Sequence, residues 1–452
     1  MDWTSLGHAC WLCEAEGLRI LFDPVIGPEH HGGVFQVAPR RRLVADRLRP
    51  DLIIVSHRHP DHFDVPSLRE LLALDPEAVV VTPDRLVAWA AERLGARTVR
   101  LVPAGHKISL DGVTLITTPS LSPDEWGAAV GTREGAAWNQ IDTVLADAAA
   151  VREVVDRCTR ELGVDRLALA LVRWQPMLEV AVQLGERTAF NYREYAELLY
   201  GAAATNARTV VPSSAGESYT RRFSAMNRQV FPASEERFLR DFFNFVSTDK
   251  NSADRRGVRV GVGERLRVRG GVAEPVAGDP GLFVADAGAE CSYDKTFAPL
   301  EPGAVVDPGV DGADEEAMRA AVEAWVRGAL ADGVARAAEG AALRFVLALR
   351  FTATSDVYTL VTDGGGARVS RRFEHDWDFY NVAAGSLVWE VLQGRKHWGD
   401  VLLAGALRGC SRAYSLASGR LERLRLGELF VYYGLGYDES VERAVRRAVE
   451  VG

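Results

Sequence analysis

The chain has 452 residues, 47% hydrophobic and 25% charged, with 53 basic against 62 acidic side chains and a formal charge of −9. At about 150 residues per domain this length predicts two or three domains, and the composition is that of a globular chain with a full core. The acidic balance without a basic stripe excludes a nucleic-acid binder, no apolar run reaches the roughly 18 residues of a membrane span, and the start lacks a leader pattern, so a soluble, cytoplasmic protein is expected.

In chain order, residues 4–14 and 18–22 read as two strands across the turn Glu16-Gly17. The continuous apolar run Asp51–Val55 predicts a strand covered on both faces, and helical spacing follows over 65–74. A strand (78–82), a helix (84–94), a strand (98–102) and a hairpin (107–118) come next. Strands are then expected at 142–146, 166–172 and 209–213, and helices at 148–162 and 191–206. Two β-rich halves with interspersed helices predict an α/β (α+β) domain of four layers, helices outside two packed sheets, over 1–245. Residues 246–312, rich in Gly, Asp, Arg and Pro, are expected to be an irregular connection. A smaller α+β domain is expected over 313–452, with strands at 343–351, 356–362 and 367–373 and helices at 386–393 and 398–407. The five cysteines (10, 13, 158, 291, 410) are too scattered for a disulfide framework and read as packing residues.

Ser56-His57-Arg58-His59-Pro60-Asp61-His62 directly follows the apolar strand, and nine histidines in the whole chain make such a cluster informative. His57 and His59 can converge on one ion as the chain leaves the strand, and Asp61 and His62 on a second. This stretch resembles the metallo-β-lactamase superfamily, whose H-x-H-x-D-H motif it matches, and the preceding GHACWLCEAEGLRILFDP resembles that fold's opening hairpin. The resemblance covers roughly 1–245 and implies an αββα sandwich with a dinuclear metal site at the sheet edge. The stretch from Arg344 through Asp363-Gly364 to Gly394 is similar in pattern to a sterol-carrier-protein-type domain.

Hydrolases of that superfamily usually add a histidine after the next hairpin, another on a late strand, and an aspartate bridging the metals. Asp142 matches the bridge, but neither histidine is present. After the hairpin the candidate donors are Glu125 and, second to it, Asp124; the late strand ends Val211-Pro212-Ser213-Ser214. The resulting set, His57, His59, Asp61, His62, Glu125 and Asp142, is carboxylate-rich, which suits iron or manganese better than a zinc hydrolytic site. The superfamily's di-iron oxygenase branch has a similar shell, and WNQIDT, VVPSSAG and MNRQVFP resemble the catalytic part of the CMP-N-acetylneuraminate hydroxylase family. The resemblance implies two Fe ions (alternatively Zn or Mn), one held by His57, His59 and Glu125 and the other by Asp61 and His62. Asp142 bridges them, so that Asp142 and Glu125 are the catalytic candidates. His8, Asp23, Asp124, Ser214 and Trp138 are candidates for supporting positions or substrate contact, as is a loop at His30-His31.

The expected function is O2-dependent oxidation of a small-molecule substrate in a bacterial biosynthetic pathway, with an external electron donor or reductase. The alternatives are a zinc or manganese hydrolase acting on an ester, amide or phosphodiester, and a non-catalytic metal-binding scaffold. No nucleic-acid or membrane partner is expected, and a homo-oligomer is compatible with the sequence.

Overall fold

The structure, a computed structural model, describes residues 1–183, 189–228, 230–248, 254–285, 305–338, 340–417, 419–423 and 436–451. Its chain divides into two compact units. The first is formed by the described residues of Met1–Pro176, Phe190–Thr220 and Phe231–Tyr293, the second by those of Met177–Ala189, Arg221–Val230 and Asp294–Gly452.

Two sheets face each other in the first unit. One runs, edge to edge, Val272–Val276, Arg265–Arg269, Asp2–Ser5, Trp11–Ala15, Leu18–Phe22, Leu52–Ile54, Val79–Thr82 and Val99–Leu101. The other runs Lys107–Leu110, Val113–Thr118, Gly127–Thr132, Gly135–Asn139, Leu169–Val172, Thr209–Pro212 and Arg256–Gly257. Each begins antiparallel and continues parallel, so its parallel strands need cover on both faces.

Side-chain alternation supplies that cover. Ala137, Leu169, Leu171 and Val211 point into the layer between the sheets, with Trp3, Trp11, Phe22, Ile54, Leu115 and Trp126. Their neighbours Trp138, Ala170, Val172 and Val210 point the other way, onto helices Ala148–Leu162, Tyr192–Ala204 and Glu235–Val246 through Val151, Val155, Tyr195 and Phe238. Full burial of a large apolar side chain contributes about 1.5–3 kcal/mol, so these two layers carry most of the unit's stability. Both sheets are thus sandwiched between helices, with Val65–Leu74 and Arg85–Arg93 beside the first sheet.

Three expectations need correction. No strand spans 142–146; the strands there are Gly127–Thr132 and Gly135–Asn139, whose Gly- and Ala-rich sequences give little β signal. Those small residues are needed for close approach: a Cβ on Gly127 would lie 2.9 Å from the carbonyl oxygens of Asn139 and Gln140. Residues 246–312 are not an irregular connection throughout. Arg265–Arg269 and Val272–Val276 extend the first sheet, with Arg267 paired to Asp2 across the register. The domain boundaries shift accordingly, because 177–189 and 221–230 group with the second unit.

That unit has a five-stranded sheet in the order Ala367–Ser370, Ser355–Thr362, Arg344–Arg350, Phe379–Ala384, Leu407–Ser411. Helix Glu315–Trp325 starts at the cap Asp314, and Gly385–Leu392, Trp398–Leu403 and Tyr437–Val451 follow the sheet strands. Cys291 lies outside the described residues. Among the described residues no helix is long and apolar enough to cross a membrane.

Candidate metal centre

Sheet order explains how the site is assembled. Strands Leu18–Phe22 and Leu52–Ile54 are parallel neighbours with Phe22 opposite Ile54, so Asp23 and Ser56 leave the sheet side by side. Asp23 accepts from the Ser56 amide (2.8 Å) and hydroxyl (2.9 Å), and lies 3.0 Å from His62 Nδ1. Ser56 Oγ is also 2.9 Å from His57 Nδ1. A carboxylate accepts only, so His62 Nδ1 is the donor to Asp23; the Ser56 hydroxyl, spent on the same carboxylate, accepts from His57 Nδ1. With Nδ1 the donor in both, Nε2 is the atom each imidazole turns outward, the one a metal would take.

The loop that carries the motif is closed by the amides of His62 and Phe63 bonding to the His59 carbonyl, and Asp64 caps the following helix through the Ser67 amide. His62 Nε2 meets Asp61 Oδ2 at 3.1 Å and Asp142 Oδ2 at 3.2 Å. His57 Nε2 lies 2.9 Å from His59 Nδ1. The donor atoms of His57, His62 and Asp142 lie within 4.8 Å of one another, as do those of His8, Asp61 and His62. Neither trio contains His59 or Glu125.

Electrostatics report a site short of positive charge. Burial pushes His57 well below and His59 below the usual histidine range. Burial also works against a charged His62, yet Asp61 and Asp142 outweigh it and hold its pKa well above that range. Desolvation would raise Asp61 and Asp142, but the neighbouring His62 reverses this, and both stay low. Two buried carboxylates closing on His62 Nε2 favour positive charge there, a proton on the imidazole or a metal ion in its place. The donor set thus fits metal ions.

The remaining candidates separate clearly. Glu125 is buried, receives a 2.8 Å hydrogen bond from Ser120 Oγ, and is raised by desolvation; Asp142 and His62 act on it electrostatically. Asp124 is exposed and faces Arg58 at 3.7 Å. Ser214 Oγ is buried without a partner among the described residues. Trp138 does not face a substrate space: it is buried in the outer core, with Nε1 donating to Thr118 Oγ1 at 3.1 Å. Cys10 and Cys13 are buried free thiols; burial pushes Cys10 up to about 11, so neither is a reactive pair. A cavity of about 260 Å³ lies between the end of strand Val113–Thr118 and helix Ala148–Leu162, lined by Ser120, Leu121, Leu145, Val154 and Cys158.

The sequence reading placed His30-His31 on a loop near the site and missed Glu217. His30 and His31 are buried rather than part of an open loop; His31 Nε2 is 3.3 Å from Asp61 Oδ1, and His30 Nε2 is 3.3 Å from Glu217 Oε2. Glu217 is buried, and desolvation pushes it up to about 7 against the pull of His8. Three of these positions are strained: His8, Asp23 and His31 have φ of 52°, 42° and 51°, and Ser214 (62°) and Ile141 (57°) flank the same loops. Non-glycine residues rarely adopt this conformation, and it concentrates at functional sites.

Residues 2–145 match the profile of the beta-lactamase superfamily domain. That part of the chain is similar to the beta-lactamase superfamily domain. Its two sheets with flanking helices are the metallo-β-lactamase-type αββα sandwich. The chain is 28% identical over 236 residues to a Rieske 2Fe-2S iron–sulfur protein of Mycolicibacterium smegmatis, covering 47% of this chain and 43% of that protein. It is 32% identical over 108 residues to the cytidine monophosphate-N-acetylneuraminic acid hydroxylase of Danio rerio (23% and 18%). It is also 29% identical over 112 residues to a metal-dependent hydrolase of Salinibacter ruber (25% and 44%). The chain thus spans less than half the length of each of these three relatives.

Proposed function

We propose that this protein is a dinuclear non-haem iron oxygenase that hydroxylates or otherwise oxidises a small metabolite in a bacterial biosynthetic pathway. The observation that carries this reading is the donor set. The carboxylates Asp61, Asp142 and the buried Glu125 stand beside three histidines, and the stretches after the hairpin and the late strand contain no histidine. Mixed imidazole–carboxylate shells suit iron. The likeness to a hydroxylase over 108 residues supports the same reading.

Iron held there would supply dioxygen reduction and substrate oxidation. The protein's own part is positional. On this reading His57 and His59, with Glu125, would hold one ion and Asp61 and His62 the other, and Asp142, which lies 3.2 Å from His62, would serve both. Asp23 fixes both imidazole tautomers, and Glu217, titrating near 7, can hold a proton within the buried site. This sequence carries no paired Cys-x-His motifs for a Rieske centre, and the electron source proposed is a separate reductase or small reductant.

The likeness to the Salinibacter metal-dependent hydrolase favours a second reading, hydrolysis at zinc or manganese. Metal analysis of protein from iron-supplemented cells, with optical spectra before and after dithionite, separates the two. The oxygenase reading expects about two irons per chain and near-ultraviolet bands that bleach on reduction. Tightly held zinc, a featureless spectrum and failure of iron to exchange in would overturn it.

A further inference from the structure

The late strand provides no imidazole, which leaves an ion at Asp61 and His62 with few donors. Another nitrogen stands on the same side. His8 Nε2 is 3.0 Å from Asp61 Oδ2, the same oxygen that His62 Nε2 approaches to 3.1 Å. Two donors each roughly 2.1 Å from a shared ion lie about 3.0–3.4 Å apart. His62 Nδ1 is committed to Asp23, which leaves its Nε2 turned toward Asp61. A metal ion seated between them has His8 Nε2 within reach, since the three donor atoms lie within 4.8 Å of one another.

The backbone of His8 is held from several directions. Leu6 N and Cys10 O close the turn around it at 2.9 Å, and the fully buried Arg41 bonds the Leu6 carbonyl at 2.6 Å. Gly216 approaches so closely that a Cβ there would lie 2.9 Å from the His8 amide nitrogen. His8 itself sits at φ 52°. A strained residue this firmly fixed is being aimed.

We propose that His8 Nε2 is a ligand of the second metal ion, replacing the imidazole that the late strand does not supply. His31 is a positioning residue that holds Asp61 through its other oxygen, Oδ1. The inference rests on the centre being metal-binding, and not on the metal being iron.

Metal stoichiometry and cobalt absorption of the full chain test it, with His8→Gln and His31→Gln beside the unaltered protein. A glutamine amide can still donate to Asp61 but is a poor metal ligand. His8→Gln is expected to keep one ion, bind the second at least about tenfold more weakly, and change the cobalt spectrum; His31→Gln is expected to keep both ions. X-ray absorption of the cobalt-loaded unaltered protein should count one imidazole more than His57, His59 and His62 provide. Full retention of both ions and an unchanged spectrum in His8→Gln would overturn this proposal alone. An unaltered chain that takes up no metal would overturn the metal-centre reading with it.

Discussion

Replacing Asp23 by asparagine keeps the volume but puts an amide where Ser56 and His62 both need an acceptor. The His62 proton then moves to Nε2, the atom that should face the metal. Asp23→Asn is therefore expected to weaken metal binding by about 10–100-fold, read by chelator competition, although Asp23 lies behind the donors. His57, His59, Asp61 and His62 were legible because they fall within six consecutive residues after one strand. Asp142 and Glu125 needed the family resemblance. His30-His31 was legible as a candidate loop, but Glu217 and the burial of the loop were not, because nothing local reveals that a two-histidine loop and a carboxylate about 190 residues downstream are buried together. A signal did exist: His31 stands directly before Gly32-Gly33, as befits a tight, buried turn.

Individual elements hold the site at a few close contacts. Gly216→Ala would press a methyl against the His8 backbone; because backbone cannot swing aside, the expected cost is about 1–3 kcal/mol. A thermal melt would show that loss, and metal titration would show weaker uptake at the second ion. In the second unit, helix Glu315–Trp325 is tied to strand Ser355–Thr362 by Arg319, whose Nε and Nη2 donate to Asp356 at 2.9 Å each. Those bonds, led by the Arg319 hydrogen bond and opposed by burial, hold the Asp356 carboxyl below its ordinary value. With the folded value lowered, the stabilisation is present above the unfolded value of about 3.9 and is lost as pH falls through the folded one. Asp356→Asn should flatten the acid limb of a urea-midpoint-versus-pH curve while leaving metal content unchanged. At this scale the sequence was readable wherever branched residues filled strands, as in Leu52–Ile54 and Val79–Thr82. It was silent at Gly127–Asn139, where packing requires side chains too small to announce a strand.

For the molecule as a whole, the order in which the chain supplies strands differs from the order in which the sheet uses them. The strand that opens the sequence, Asp2–Ser5, lies inside its sheet and is paired on its outer side by Arg265–Arg269, some 260 residues later. Composition over 246–312 concealed this, since alternating Arg and Val on an edge hairpin looks like a solvated connection. A fragment ending at 245 should therefore aggregate more than one ending at 285, by light scattering at equal concentration, because only the longer one covers that strand. The same topology bears on biosynthesis. While a ribosome is still making residues beyond 245, the nascent protein displays an open, hydrogen-bond-hungry ribbon at its amino end, an invitation to chaperones and to neighbouring chains on the same message. Slow translation through the Gly- and Arg-rich stretch before residue 265 would lengthen that exposure, so synonymous codon choice there becomes a determinant of yield.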